Sequence, residues 1–133
     1  MMKYLTAEDI ISINVEVQNY YGTSPLIRDD VALDYIVQSA DQVVFGKRLY
    51  DTSAKLGAYY VIKLTKKHIF NDANKRTAYL ALNFFLAKNN LEFVGEHLTL
   101  ANMIIKIAQV DGETDEMWER MNAYLEENIQ TLS

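Results

Sequence analysis

From Ala78 to Leu86 the chain reads Ala-Tyr-Leu-Ala-Leu-Asn-Phe-Phe-Leu. At helical spacing Ala78, Leu80, Ala81, Leu82, Phe84, Phe85 and Leu86 surround almost the whole circumference. A helix apolar nearly all round is stable only with neighbours on most sides, so this segment predicts the centre of a helical bundle, running from about Asn74 to Lys88. The 133 residues suffice for one core, and one proline with five glycines leaves few breaks. With neither an internal repeat nor a low-complexity linker, the expectation is one all-α domain over residues 1–133, a compact bundle of about six helices.

The other helices follow from caps and periodicity. Thr6 ahead of Glu8 and Asp9 opens a first helix to about Tyr20, with Ile10, Ile13, Val17 and Tyr20 on one face. After a loop from Gly22 to Arg28, a second helix is predicted from Asp29 or Asp30 to about Phe45. Val31, Tyr35 and Val43 are its apolar side, Gly46 its end, and Lys47 and Arg48 complement its dipole. A third runs from Thr52 or Ser53 to about Lys67 and carries Leu56, Tyr59, Tyr60 and Leu64, the tyrosine pair belonging to the core. Asn89 and Asn90 close the central helix, and Phe93 with Val94 forms a short extended piece. A fifth helix spans about Thr99 to Val110 and a sixth about Thr114 to Asn128, with Asp111-Gly112-Glu113 as the turn and Trp118 packed inward. His97 reads as a surface or capping residue.

Composition narrows the setting. No cysteine is present, which excludes disulfides and thiolate metal sites. The first residues meet Glu8 and Asp9 before an apolar run can build, unlike a signal peptide, and no stretch approaches the roughly 18 apolar residues of a membrane span. A soluble cytoplasmic protein is expected.

Chemistry is concentrated in His68-Ile69-Phe70-Asn71-Asp72-Ala73-Asn74-Lys75-Arg76-Thr77-Ala78, between the third helix and the central one. Asn71, Asp72 and Asn74 favour a turn, and Phe70 among polar neighbours is an anchor for that loop. The loop opens onto a helix N-terminus, where free N–H groups and the positive dipole end favour an anion. Lys75 and Arg76 add positive charge where the dipole disfavours it, an arrangement useful when a polyanion neutralises them. Together with Lys63, Lys66 and Lys67 they are five of the 13 basic residues of a chain whose net charge is −5. A local basic cluster in an acidic chain points to a small anionic ligand rather than a nucleic-acid surface. A histidine that takes a proton near neutral pH, an aspartate able to hold magnesium, and phosphate-binding Asn74, Lys75 and Arg76 are the parts that phosphoryl or nucleotidyl transfer needs.

The stretch HIFNDANKRTA resembles the Fic/Doc motif, His-x-Phe-x-Asp/Glu-Gly/Ala-Asn-Gly/Lys-Arg, and among its branches the Doc toxins; Tyr21-Gly22 and Pro25 after the first helix extend the likeness. The resemblance implies a Fic/Doc fold with His68 as general base, Asp72 as the magnesium-linked acid, and Asn74 and Arg76 as phosphate ligands. Ala73 stands where many relatives have glycine. Lys66 occupies a position that is basic in Doc-like proteins and adds a further phosphate candidate. Lys75 replaces the small residue of Fic adenylyltransferases, and Tyr79 replaces their second arginine; both departures imply transfer of the ATP γ-phosphate rather than of AMP. The segment from Gly22 to Arg28 would lie beside the site as a flap for the target. An inhibitory Ser/Thr-x-x-x-Glu-Gly/Asn motif is approached only by Ser12 and Glu16, and Val17 ends the match, so inhibition is expected from another chain.

The expected protein is therefore an ATP- and Mg2+-dependent kinase toxin, neutralised by a small Phd-like antitoxin through an amphipathic helix. Its expected target is a Ser/Thr hydroxyl of a translation factor, elongation factor Tu by resemblance. Adenylyl transfer, and a non-catalytic module acting through an antitoxin or operator complex, remain the alternatives.

Overall fold

The computed structural model describes residues 1–132. Six helices appear among them: α1 Ala7–Tyr20, α2 Asp30–Ser39, α3 Ser53–Lys66, α4 Asn74–Lys88, α5 His97–Gln109 and α6 Asp115–Asn128. Two small antiparallel ribbons accompany the bundle, β1 Val43–Val44 with β2 Lys47–Arg48, and β3 Leu91–Phe93 with β4 Ile129–Thr131. The expected six-helix, predominantly α architecture is what forms.

The caps read from sequence set the helix starts. Thr6 and Asp9 close a reciprocal capping box on α1, while Asp29, Thr52 and Thr114 accept the N–H groups of Ala32, Lys55 and Met117.

The centre of the bundle is α3 rather than α4. Ten of its residues between Ala54 and Thr65 are buried, including Leu56, Tyr59, Tyr60 and Leu64. Gly57 marks a close crossing: a Cβ there would stand 2.9 Å from Leu82 Cδ1 of α4 and 3.3 Å from Leu125 Cδ1 of α6. The tyrosine hydroxyls do not forbid this burial, because Tyr59 donates to the Ile36 carbonyl at 2.6 Å and Tyr60 accepts from Leu5 N–H at 2.9 Å. Burial holds both phenols protonated, pushing Tyr60 up to about 12. On α4, Ala78, Ala81, Leu82, Phe85 and Leu86 are enclosed, but Leu80 is 39% and Phe84 44% exposed. Neighbours cover α4 on the sides toward α1, α3, β3 and α5, and the side carrying Leu80 and Phe84 stays open.

Other expectations change. The second helix stops at Ser39, and the chain beyond it forms the β1–β2 hairpin, with Phe45 and Gly46 at its tip in left-handed φ values of 51° and 79°. Gly46 is thus a hairpin turn, not a helix stop, and Arg48 bonds the Tyr4 hydroxyl at 3.0 Å instead of completing a dipole. Val31, Tyr35 and Val43 are exposed, and Leu33, Ile36 and Ala40 carry that element into the core. Tyr20, at the end of α1 beyond its covered turns, is exposed as well. Trp118 does pack inward against the core, half-buried and stacked on Tyr50 with ring centroids 5.9 Å apart.

Candidate functional site

The motif begins where α3 ends. Lys67 closes that helix, and His68 turns the chain with a left-handed φ of 48°. Ile69 and Phe70 then dive into the core, at 0% and 2% exposure, so the anchor expected at Phe70 is in place. Asn71 and Asp72 return to the surface, and Ala73, at φ 65°, starts α4 from a left-handed conformation. Two apolar side chains pulling inward between polar ones thus fold the loop over the junction of the two helices.

Three sets of hydrogen bonds fix the loop. From within, Asn74 Oδ1 accepts from Phe70 N–H at 3.1 Å and its Nδ2 donates to the Phe70 carbonyl at 2.9 Å. From one side, the segment before α2 lies antiparallel to it: Ile27 bridges Phe70, Arg28 and Asp29 N–H donate to the Ile69 carbonyl at 2.7 and 3.0 Å, and Asn71 N–H donates to the Leu26 carbonyl at 2.9 Å. From below, Asn14 Nδ2 and Gln18 Nε2 of α1 donate to the Asp72 carbonyl at 3.1 and 3.2 Å.

The loop rims a cavity of about 520 Å3. Val17, Tyr21 and Thr23 form one wall, Thr65, His68 and Ala108 another, and Asn71 through Arg76 the rim. His68 also borders a neighbouring cavity of about 510 Å3 that reaches the turn between α5 and α6. Sequence-expected residues His68, Asp72, Ala73, Asn74, Lys75 and Arg76 therefore meet around one space.

The start of α4 has the character of an anion site. No side chain caps it, whereas α1, α2, α3 and α6 each carry a side-chain cap. Its first intrahelical bond from the amide side is Thr77 N–H to the Ala73 carbonyl, which leaves the N–H groups of Asn74, Lys75 and Arg76 without helical acceptors. Lys75 and Arg76 are exposed and, among the described residues, form no ion pair; the Arg76 guanidinium lies 4.7 Å from the centre of the Tyr21 ring.

Not every basic residue joins them. Lys66 turns away from the motif cavity and donates to the Ile107 carbonyl at 2.9 Å and to the Val110 carbonyl, capping the end of α5. Lys63 pairs with Glu113 at 3.0 Å. Both long side chains reach acceptors at the end of α5 and in the turn after it, a pairing that sequence spacing does not reveal. Asn74 is similar: its amide is spent on Phe70, so toward a ligand it offers its backbone N–H. Tyr79 points to His97, bonding Nδ1 with its hydroxyl, and does not line the cavity. Glu16 is exposed on α1 and absent from the cavity wall.

Asp72 is the acid of the cavity rim. One of its oxygens accepts from Ala73 N–H at 2.7 Å, and among the described residues no group of three acidic, histidine or cysteine side chains gathers as a metal cage. One carboxylate suits a hard divalent cation that takes its remaining ligands from water and phosphate oxygens. Deeper in, Thr65 is 2% exposed and its Oγ1 has no hydrogen-bond partner, a buried polar atom on the cavity wall that a ligand or its water can satisfy.

The sequence reading missed Asn14, Gln18, Thr23 and Thr65. A signal was present for the first two. They sit at i and i+4 on the same face as Ile10, Ile13 and Val17, polar where the pattern asks for apolar.

A family model described as Fic/DOC family matches residues 4–86, which include the motif loop and the helices on both sides of it. Among curated proteins, "Protein kinase doc" of Escherichia phage P1 is 29% identical over 91 residues, covering 68% of this chain and 71% of that protein.

Proposed function

This chain belongs to the Fic/Doc family, and from that premise we propose that it is a Doc-type toxin kinase, moving the γ-phosphate of ATP to a Ser/Thr hydroxyl of a protein target. The observation that carries the reading is the convergence of His68, Asp72, Lys75 and Arg76 on one cavity at an uncapped helix start. The name of the phage P1 relative, a protein kinase, favours phosphoryl over adenylyl transfer.

The residues divide the work as follows. The free N–H groups of Asn74, Lys75 and Arg76 and the two cationic side chains bind phosphate oxygens and stabilise charge that develops during transfer. Asp72 would hold Mg2+, which would neutralise charge on the phosphates. His68, exposed at the edge of the cavity, takes the proton of the incoming hydroxyl. Leu26 to Arg28, exposed and bridged to the motif loop, offers an extended edge on which target backbone can pair beside that histidine. Lys75 fills the place where a small residue would let a nucleotide lie close to the backbone, which supports terminal-phosphate transfer.

The target is elongation factor Tu, and transfer blocks translation in the cytoplasm; no helix among the described residues is long and apolar enough to cross a membrane. A Phd-like antitoxin restrains the toxin by laying an amphipathic helix against it. Intact mass spectrometry of elongation factor Tu after incubation with this protein, ATP and Mg2+ tests the reading. A gain of about 80 daltons with wild type and none with His68→Ala supports it. A gain of about 330 daltons means adenylyl transfer. An unchanged mass removes this target.

A further inference from the structure

We propose that Asn14 and Gln18 of α1 are positioning residues for the Asp72 carboxylate, acting through the peptide bond that follows it. This rests on Asp72 being the metal-facing acid of the proposed kinase.

Both side chains are 1% exposed on a face otherwise filled by Ile10, Ile13 and Val17. Burying two primary amides is unfavourable unless every group is satisfied, and here every group is. Asn14 Nδ2 divides its protons between the Asp72 carbonyl at 3.1 Å and Thr77 Oγ1 at 3.0 Å. Gln18 Nε2 reaches the same carbonyl at 3.2 Å and Asn14 Oδ1 at 3.3 Å, and Gln18 Oε1 accepts from Thr23 Oγ1 at 2.6 Å. Helix packing alone would not bring two amides onto one carbonyl of the motif. An aliphatic pair would fill the same face.

The consequence follows from amide geometry. In a trans peptide the C=O and the following N–H point in opposite directions, and no cis bond is present. Drawing the Asp72 carbonyl down toward α1 therefore turns Ala73 N–H away from α1. That N–H holds Asp72 Oδ1 at 2.7 Å. The amide pair sets the peptide plane, the plane sets the N–H, and the N–H sets one carboxylate oxygen. Its second oxygen is left for a cation. Thr23, bonded to Gln18, ties the exposed segment before α2 to the same device.

Gln18→Met keeps length and removes the donors; Gln18→Glu replaces them with oxygens that repel the carbonyl. Tyr60→Phe serves as the control, removing a buried hydrogen bond to Leu5 N–H outside the cavity wall. Two measurements on the full chain read the outcome. The first is hydrogen–deuterium exchange of the peptide covering residues 69–76. The second is Mn2+ affinity in the presence of a non-hydrolysable ATP analogue, beside the affinity of the analogue without metal.

Both Gln18 variants are expected to exchange about tenfold faster in that peptide and to bind Mn2+ about tenfold more weakly, the worth of one well-placed hydrogen bond. Metal-free analogue affinity stays at the wild-type value, and Tyr60→Phe changes neither. Wild-type exchange in Gln18→Met overturns the positioning role, and so does faster exchange with undiminished Mn2+ affinity. Wild-type protein that binds the analogue with no metal dependence overturns instead the reading of Asp72 on which the role rests.

Discussion

Asn74 and Phe70 hold each other by both backbone groups of the phenylalanine: the Asn74 side chain accepts from Phe70 N–H at 3.1 Å and donates to the Phe70 carbonyl at 2.9 Å. The amide mimics a strand neighbour for a residue whose own ring is buried, and this is why a loop between two helices keeps one shape. Asn74→Leu is expected to lose about 1–3 kcal/mol of stability in urea denaturation, because both Phe70 groups lose their partner. Asn74→Asp, which keeps only the acceptor, should fall between. An unchanged midpoint for Asn74→Leu would show that Ile69 and Phe70 packing and the bonds from residues 26–29 and α1 hold the loop without it.

Ala73 begins α4 at φ 65°, where a Cβ is unfavourable. Ala73→Gly should stabilise the protein by about 0.5–1 kcal/mol, the relief of left-handed strain less the backbone entropy of glycine. Ala73→Val should destabilise it, since a β-branched residue tolerates that region worse. Thermal or urea unfolding of the three proteins ranks them Gly, Ala, Val; any other order contradicts the left-handed start.

His68 is exposed at the edge of the cavity, and its side chain forms no hydrogen bond among the described residues. His68→Ala is therefore expected to leave the unfolding midpoint within about 0.5 kcal/mol of wild type while lowering transfer by ~10²–10⁴-fold, the usual worth of a positioned base. Turnover close to wild type would remove His68 from the mechanism.

Lys66 and Lys75 look equivalent in a count of basic residues and differ in their partners. Lys66→Met should cost about 1 kcal/mol by uncapping the Ile107 and Val110 carbonyls of α5, with ATP affinity little changed. Lys75→Met, at the exposed start of α4, should do the reverse. Isothermal titration with ATP and urea denaturation on both variants separates these roles, and weaker ATP binding in Lys66→Met would return that lysine to the site.

Asp9 links α1 to α4. Burial pushes its carboxyl up, but bonds from Lys88 at 2.8 Å and from Thr6 N–H at 2.9 Å outweigh this and hold it below the usual carboxylate range. With the folded value depressed, the carboxylate stabilises the protein above the unfolded aspartate value of about 4, and the contribution is lost as pH falls through the folded value. Urea midpoints of wild type and Asp9→Asn should differ at pH 6 and converge as pH falls from about 4 through the depressed folded value. A constant difference across that range would mean that charge is not what Asp9 contributes.

The sequence by itself determined the elements that depend on neighbours within a turn or two. Thr6, Thr52 and Thr114 start helices because a side-chain oxygen meets an N–H three residues on, and the motif loop forms where Asn71, Asp72 and Asn74 interrupt two apolar runs. It also determined which groups share the candidate site, since His68 to Arg76 are contiguous and a short loop cannot scatter them. Tertiary structure decided everything that depends on which distant acceptor is nearest. It directed Lys66 to α5 and Asn74 to Phe70, placed Asn14 and Gln18 under Asp72, and left Leu80 and Phe84 uncovered on a helix whose composition asked for enclosure. Polar side chains take whichever partner the packed chain brings within 3 Å or so, and that choice is made only after α1, α3, α4 and α5 have found their places.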